Sequence, residues 1–275
     1  MYSRVYVEIT NICNMNCSFC HGHSRPPRQM TQAEYARVLE QLSGKTQYIY
    51  HHLMGEPLIH PLLPRFIQMA QEAGFHPMLT TNGTLLERFG DDILIKGLHK
   101  VNISLHSFEG NCPEDQLHYI RSVSDFAKKA NQAGILISLR LWNNGCDEGR
   151  NDATLALLKE NIPGQWTANT RGYRIRDGLF LEWGDRFQWP DRNAPENDGH
   201  LFCHGLGDHF GILCDGTVVP CCLDSDGVMD LGNVFRQELS DILASPRAKS
   251  ILEGFRRRNV TEDLCRRCGY AQRFK

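Results

Sequence analysis

Cys13-Asn14-Met15-Asn16-Cys17-Ser18-Phe19-Cys20 sets three thiols at spacings of four and three residues, directly after the run Val5-Tyr6-Val7-Glu8-Ile9. The β-branched and aromatic content of that run reads as a strand, so the thiols occupy the loop at its carboxyl end. A reducing compartment disfavours structural disulfides and leaves clustered cysteines for metal binding or redox work. The chain holds eleven cysteines in 275 residues, an odd number, unevenly spread. Three lie in this loop, six lie between Cys203 and Cys268, and only Cys112 and Cys146 occupy the long middle. The pattern is two metal-binding ends separated by a scaffold.

Outward from the loop, short apolar runs alternate with longer amphipathic stretches. Thr31 to Leu42 carries a helical stripe at Tyr35, Val38, Leu39 and Leu42, with Thr31 and Glu34 as a capping box. Strand Gln47–Tyr50 follows, then helix Leu62–Ala73, ended by Gly74. The alternation repeats through strand His76–Thr80, helix Leu85–Ile95, strand Lys100–Leu105, helix Asp115–Ala133, strand Ile135–Leu141 and helix Asp152–Lys159. A further strand is expected within Tyr173–Glu182. This is the signature of βαβ units and a parallel sheet. A closed eight-fold barrel takes about 250 residues by itself, so the fold class expected is α/β, an open, partial (β/α)6 TIM-like barrel over residues 1–185. Residues 186–200 are polar, aperiodic and proline-bearing, which reads as a linker. A small cysteine-rich domain over 201–275 follows, with a hairpin at Gly211–Pro220 turning on Asp215-Gly216 and a helix from Leu239 to Arg257.

The loop of three cysteines resembles the CxxxCxxC signature of the radical S-adenosylmethionine (radical SAM) superfamily, and further landmarks of that family occur in order. Met54-Gly55-Glu56-Pro57, after the second strand, looks like its GGEP loop, with Met54 in place of the first glycine. Thr80-Thr81-Asn82-Gly83 ends the third strand and resembles its TNG turn. Val101-Asn-Ile-Ser104 ends the fourth. All stand at strand ends, on the face where α/β proteins bind ligands. The resemblance implies that Cys13, Cys17 and Cys20 hold three irons of a [4Fe–4S] cube and leave the fourth open. The open iron would chelate the methionine part of S-adenosyl-L-methionine (AdoMet), whose reductive cleavage gives a 5′-deoxyadenosyl radical that abstracts hydrogen from substrate. It further implies that Gly55 and Glu56 meet the methionine amino group, Asn82 and Ser104 lie near the AdoMet, and Phe19 stands beside the adenine. Arg140, on the fifth strand, is open to two readings: a partner for the AdoMet carboxylate, or a strand-end arginine bound to a local carboxylate.

The C-terminal cysteines resemble the SPASM/Twitch extension of the same superfamily, which carries auxiliary [4Fe–4S] clusters. Cys203, Cys221, Cys265 and Cys268 match best: one before the hairpin, one after it, and a closing CxxC. Cys214 or Cys222 is the alternate ligand, although Cys222 points opposite to Cys221 if the strand continues. The last cysteine is followed by seven residues, so a single auxiliary cluster is expected. A structural zinc site of four thiolates is the competing reading.

Hydrophobic residues at 41 % and charged residues at 23 % exclude a disordered chain. Thirty Lys+Arg against thirty-two Asp+Glu give a net charge of −2, so no bulk positive field recruits nucleic acid or anionic membrane. No apolar run approaches the roughly 18 residues of a membrane span, and the first residues lack a signal peptide's apolar stretch. A cytoplasmic protein is expected. No leader-binding segment precedes Val5, which leans against a leader-dependent peptide maturase. His51-His52, beside the Gly55-Glu56-Pro57 loop, reads first as a pair straddling its strand, one buried and one solvated, and second as a proton acceptor. Arg256-Arg257-Arg258 reads as a solvated helix end. The catalytic acid or base is not assigned by sequence. The function expected is radical SAM hydrogen abstraction that oxidises or modifies a small polar metabolite or a peptide, with a reducing partner such as flavodoxin or ferredoxin. The rival is a non-catalytic iron–sulfur or zinc sensor, which has no need of Glu56 and Asn82 near its cluster.

Overall fold

The computed structural model describes residues 1–108, 115–147 and 149–274; Cys112 lies outside them. The elements of the first two thirds are β1 (Arg4–Val7), α1 (Gln32–Leu42), β2 (Tyr48–His51), α2 (Leu63–Glu72), β3 (His76–Thr81), α3 (Leu86–Phe89), β4 (Lys100–Ser104), α4 (Gln116–Gln132), β5 (Leu136–Asn144), α5 (Arg150–Asn161), β6 (Thr167–Asn169), β7 (Gly172–Arg176) and β8 (Leu179–Asp185). Strands β1 to β5 pair in parallel in that order, and β8 joins β5 as the sixth parallel strand. The capping box of α1 is present, with Glu34 N donating to the Thr31 hydroxyl and Thr31 N to the Glu34 carboxylate.

Two expected elements of this part differ in detail. The single strand expected within Tyr173–Glu182 is a hairpin: the chain turns at Asp177-Gly178, where Gly178 takes φ +75°, so β7 runs antiparallel and β8 fills the sixth place. The helix expected over Leu85–Ile95 stops at Phe89 and continues as a 3₁₀ turn over Asp91–Ile93. Gly90 lets the backbone close against Leu86 O, where a Cβ would come within 2.4 Å.

Each parallel strand shows the helices an apolar row and the barrel interior a polar one. Val5, Val7, Ile49, Leu79, Val101, Ile103, Ile137, Leu139, Leu179 and Leu181 are 0 or 1 % exposed and make the core under the helices. On the opposite face, Ser104, Arg140 and Glu182 stand side by side across β4, β5 and β8, and Asn102 stands beside Ser138. A closed TIM barrel fills its interior with branched apolar side chains. This interior is lined instead with polar and charged side chains.

The C-terminal third adds β9 (His209–Ile212), β10 (Val218–Val219), α6 (Leu239–Leu243), α7 (Pro246–Arg256) and α8 (Asp263–Arg266). The hairpin forms as expected, with β10 antiparallel to β9 and Gly216 at φ +88° in the turn. Strand β9 also pairs in parallel with β1 from Arg4↔His209 to Val7↔Ile212. The result is one ten-stranded sheet in the order β10-β9-β1-β2-β3-β4-β5-β8-β7-β6. The helix expected from Leu239 to Arg257 is two helices. Pro246 cannot continue a helix, and the Ser245 hydroxyl accepts from Ala248 N to start α7. Residues 186–200 contain neither helix nor strand, and lie tethered along the C-terminal third. Asn197 N donates to Arg266 O at 2.9 Å, and Arg267 pairs with Glu196 at 2.6 Å.

Candidate active site

The three thiols of Cys13, Cys17 and Cys20 sit in the loop beyond β1, at the carboxyl edge of the sheet. Cys13 and Cys20 are exposed and Cys17 half-buried. Short bonds shape the loop: Cys20 N donates to Cys17 O at 3.0 Å, Met15 N to Cys13 Sγ at 3.5 Å, and the Cys17 thiol to Ser107 O at 3.7 Å.

Gly55 and Glu56 brace this loop from below. Gly55 takes φ +77°, and a Cβ there would lie 2.4 Å from Thr10 O and 2.9 Å from Ile12 O. Only a residue without a side chain lets the backbone approach so closely. Glu56 N donates to Ile12 O at 2.9 Å. The Glu56 carboxylate is buried and accepts from the Thr81 hydroxyl at 2.8 Å, Asn82 N at 2.7 Å and Leu58 N at 3.0 Å. Burial pushes its carboxyl up to about 7, against the pull of those three donors. Glu56 thereby fixes the turn that carries Asn82.

Asn82 is the link between the barrel and the cysteine loop. Its Nδ2 donates to Asn14 Oδ1 at 3.0 Å and stands 4.0 Å from Cys13 Sγ, while its Oδ1 accepts from Thr84 N and the Thr84 hydroxyl. The Tyr119 hydroxyl holds its backbone carbonyl at 2.7 Å. Phe19 stacks near His106 at 5.1 Å, and its carbonyl accepts from Trp189 Nε1 at 3.0 Å. Sequence reasoning gave His106 no role, because an aromatic contact between distant loops leaves no local spacing to read.

Arg140 follows its second reading in part. Its register neighbour is Ser104, but the guanidinium turns inward: one Nη donates to Asn102 Oδ1 at 2.7 Å, and Nε stands 3.6 Å from Glu182. His51 and His52 do straddle β2 and its end. His51 is fully buried against α1, 2.6 Å from the Tyr35 hydroxyl, and burial pushes its pKa down to about 4. His52 turns into the barrel beside Tyr6, with ring centroids 5.7 Å apart, rather than out to solvent. Burial and the nearby Arg140 charge push its pKa down to about 3, so both imidazoles are neutral at pH 7.

The second group of thiols divides by surroundings. Cys203, Cys221, Cys265 and Cys268 raise one another's thiol pKa values in addition to the larger effect of burial, which drives Cys268 to about 11. Cys214 lies elsewhere, beside Glu8 and Arg25, and burial pushes it up to about 12. Cys222 bonds Tyr6 at the barrel wall and also lies within electrostatic reach of Cys221 and Cys203. Among the described residues no three His, Cys, Asp or Glu side chains converge on one ion-sized point. Four soft thiols gathered under cover fit an iron–sulfur cube, whose binding would displace their protons. The exposed trio beyond β1 fits a cube with one open corner.

A buried ion pair that the sequence did not reveal joins the two thiol regions. Glu8, on the inward side beyond β1, is 0 % exposed and meets Arg25 through two 2.7 Å bonds. The same carboxylate accepts from Met54 N and from Cys214 N, each at 3.1 Å, and Arg25 Nε donates to Ser225 O at 2.8 Å. One carboxylate thus ties β1, the segment after the cysteine loop, the loop before Gly55, and the β9–β10 hairpin.

Comparison with known proteins agrees with this geometry. A radical SAM superfamily model matches residues 7–140, and a SPASM model, described as an iron–sulfur cluster-binding domain, matches residues 203–269. The chain is 31 % identical over 109 residues to GTP 3′,8-cyclase of Chlorobaculum tepidum, a match covering 38 % of this chain and 33 % of that enzyme's length. It is 24 % identical over 284 residues to the S-adenosyl-L-methionine-dependent 2-deoxy-scyllo-inosamine dehydrogenase of Niallia circulans, covering 98 % of this chain and 93 % of that one. The crystal structure of BtrN in complex with AdoMet and 2-DOIA superposes with a TM-score of 0.63 at 21 % identity, over 98 % of this chain and 93 % of that chain, which shows the shared fold. Among the described residues no helix is long and apolar enough to cross a membrane. With an open six-stranded parallel barrel, a cysteine loop braced at its mouth and a second set of thiols beyond it, this chain belongs to the radical SAM superfamily, as an enzyme with a C-terminal SPASM iron–sulfur domain.

Proposed function

We propose that the enzyme abstracts hydrogen from a small polar metabolite and oxidises or modifies it, with one auxiliary [4Fe–4S] cluster at its side. Cys13, Cys17 and Cys20 would hold the AdoMet-binding cluster, which when bound and reduced supplies the electron that cleaves AdoMet. Cys203, Cys221, Cys265 and Cys268 would hold the auxiliary one. The surroundings of the other two thiols support this choice of four: Cys214 is engaged at the Glu8–Arg25 pair, and Cys222, near Cys221 and Cys203, bonds Tyr6.

The observation that carries the AdoMet assignment is the bond from the Asn82 side chain to Asn14, inside the cysteine loop. It joins the end of β3 to the loop that carries Cys13, Cys17 and Cys20, with Ser104 and Phe19 on the adjoining strand end and loop. Gly55 and Glu56 act here through backbone support of that loop and of Asn82. A polar barrel interior supports a metabolite over an apolar substrate, and the near full-length match to a dehydrogenase of an aminocyclitol supports the same reading. A flavodoxin- or ferredoxin-like protein would deliver the electron.

Anaerobic reconstitution with iron and sulfide, then dithionite and AdoMet, tests the proposal. 5′-Deoxyadenosine is expected, and a Cys17→Ala control should release none. Equal product from both would refute the assignment of the three thiols.

A further inference from the structure

We propose that the barrel interior holds a subsite for an acidic group of the substrate, a carboxylate or a phosphate, recognised by Arg4, His52 and Arg140. The inference rests on the barrel interior being the substrate chamber. Three nitrogens lining it, Arg4 Nε, His52 Nδ1 and Arg140 Nε, are buried without a hydrogen-bond partner. Buried donors left unmade are costly, and native structures leave few. Three in one chamber call for a ligand.

Arg4 and Tyr6 share one face of β1, and Arg140 lies on the inward face of β5 beside Ser104. Tyr6 lies 5.7 Å from His52 and 5.2 Å from Tyr50 between ring centroids. Arg4 and Arg140 both interact electrostatically with Tyr6 and Tyr50. The Arg140 charge reaches His52 and Arg4.

The chemistry of the ligand follows from what these atoms can do. A guanidinium only donates, so its complement is an acceptor. Three cations, Arg4, Lys100 and Arg140, face two carboxylates. Asp208 takes one Nη of Arg4 at 2.9 Å and leaves its Nε. Glu182 is shared between Arg140 at 3.6 Å and Lys100 at 4.0 Å, too far to bond either. An amine would add a fourth cation beside two guanidiniums, and a neutral polyol would leave the excess charge unmatched. An anion with several acceptor oxygens satisfies both conditions, and a neutral His52 can donate to it from Nδ1.

Equilibrium dialysis of the AdoMet-saturated holoenzyme against radiolabelled orthophosphate, and separately acetate, tests this. Retention of about one saturable equivalent is expected for at least one anion, and the stronger of the two tells phosphate from carboxylate. Arg140→Gln and Arg4→Gln should each weaken it at least tenfold. If Arg140→Gln does not fold, Arg4→Gln carries the test, since that side chain is 38 % exposed and its loss is tolerable to the fold. No saturable retention, retention unchanged in the variants, or tighter retention of methylammonium than of both anions would overturn the proposal. 5′-Deoxyadenosine release in the same preparation separates this failure from a failure of the AdoMet assignment.

Discussion

His51 and His52 are sequence neighbours with opposite fates, and the difference is measurable. His51, under α1, donates from Nδ1 to Met78 O at 3.3 Å and accepts at Nε2 from the Tyr35 hydroxyl at 2.6 Å, and its pKa is lowered to about 4 by burial. An unfolded histidine takes its proton near 6.5. Between those values the unfolded chain binds a proton that the folded chain refuses. The contribution is therefore intact above pH 6.5 and is lost as pH falls toward 4, by roughly 3 kcal/mol at the limit. Urea unfolding at pH 7 and pH 4.5 is expected to show this loss, and His51→Gln should reduce the difference while His52 keeps its own share. At this scale the sequence was partly legible. The alternation of β2 put the two rings on opposite faces, but no local pattern told that the inward face was a chamber rather than solvent. Asn82 was legible from the turn it ends; the work of Glu56 was not, because its three donors come from two separate strand ends.

Among the connecting segments, the Glu8–Arg25 pair has the largest reach. Removing one member of a buried ion pair strands the other, at a cost of about 3–5 kcal/mol. Arg25→Met is expected to lower stability by that order in denaturant unfolding, and to release the segment at Ser225 through the lost Arg25–Ser225 bond. Unchanged stability would show that the pair is dispensable. Seventeen residues separate its members, outside any helical or strand period, so periodicity had nothing to report. The same blindness explains the β7–β8 hairpin: Asp177-Gly178 is a turn signal, yet the stretch read as one strand because both halves are β-branched or aromatic. The break between α6 and α7 was signalled by Ser245-Pro246, and an amphipathic stripe running through it hid the stop.

Across the molecule, two thiol sets predict a stoichiometry. Iron should approach about eight atoms per chain after reconstitution, at four per cluster. Cys265→Ser should remove about half and leave AdoMet cleavage detectable. Tightly bound zinc in place of the second half would overturn the auxiliary assignment. The six-stranded barrel and both cysteine groups were legible because each is written locally, in strand–helix alternation and in spacings. The pairing of β9 with β1 was not, since strands about two hundred positions apart share no sequence mark. That pairing has an outcome at birth. On the ribosome, the flank of Arg4–Val7 that will receive His209–Ile212 stays bare until most of the polypeptide has emerged, a ready template for stray strands. Closure must await the last third of synthesis, so an unpaired strand edge persists through that interval.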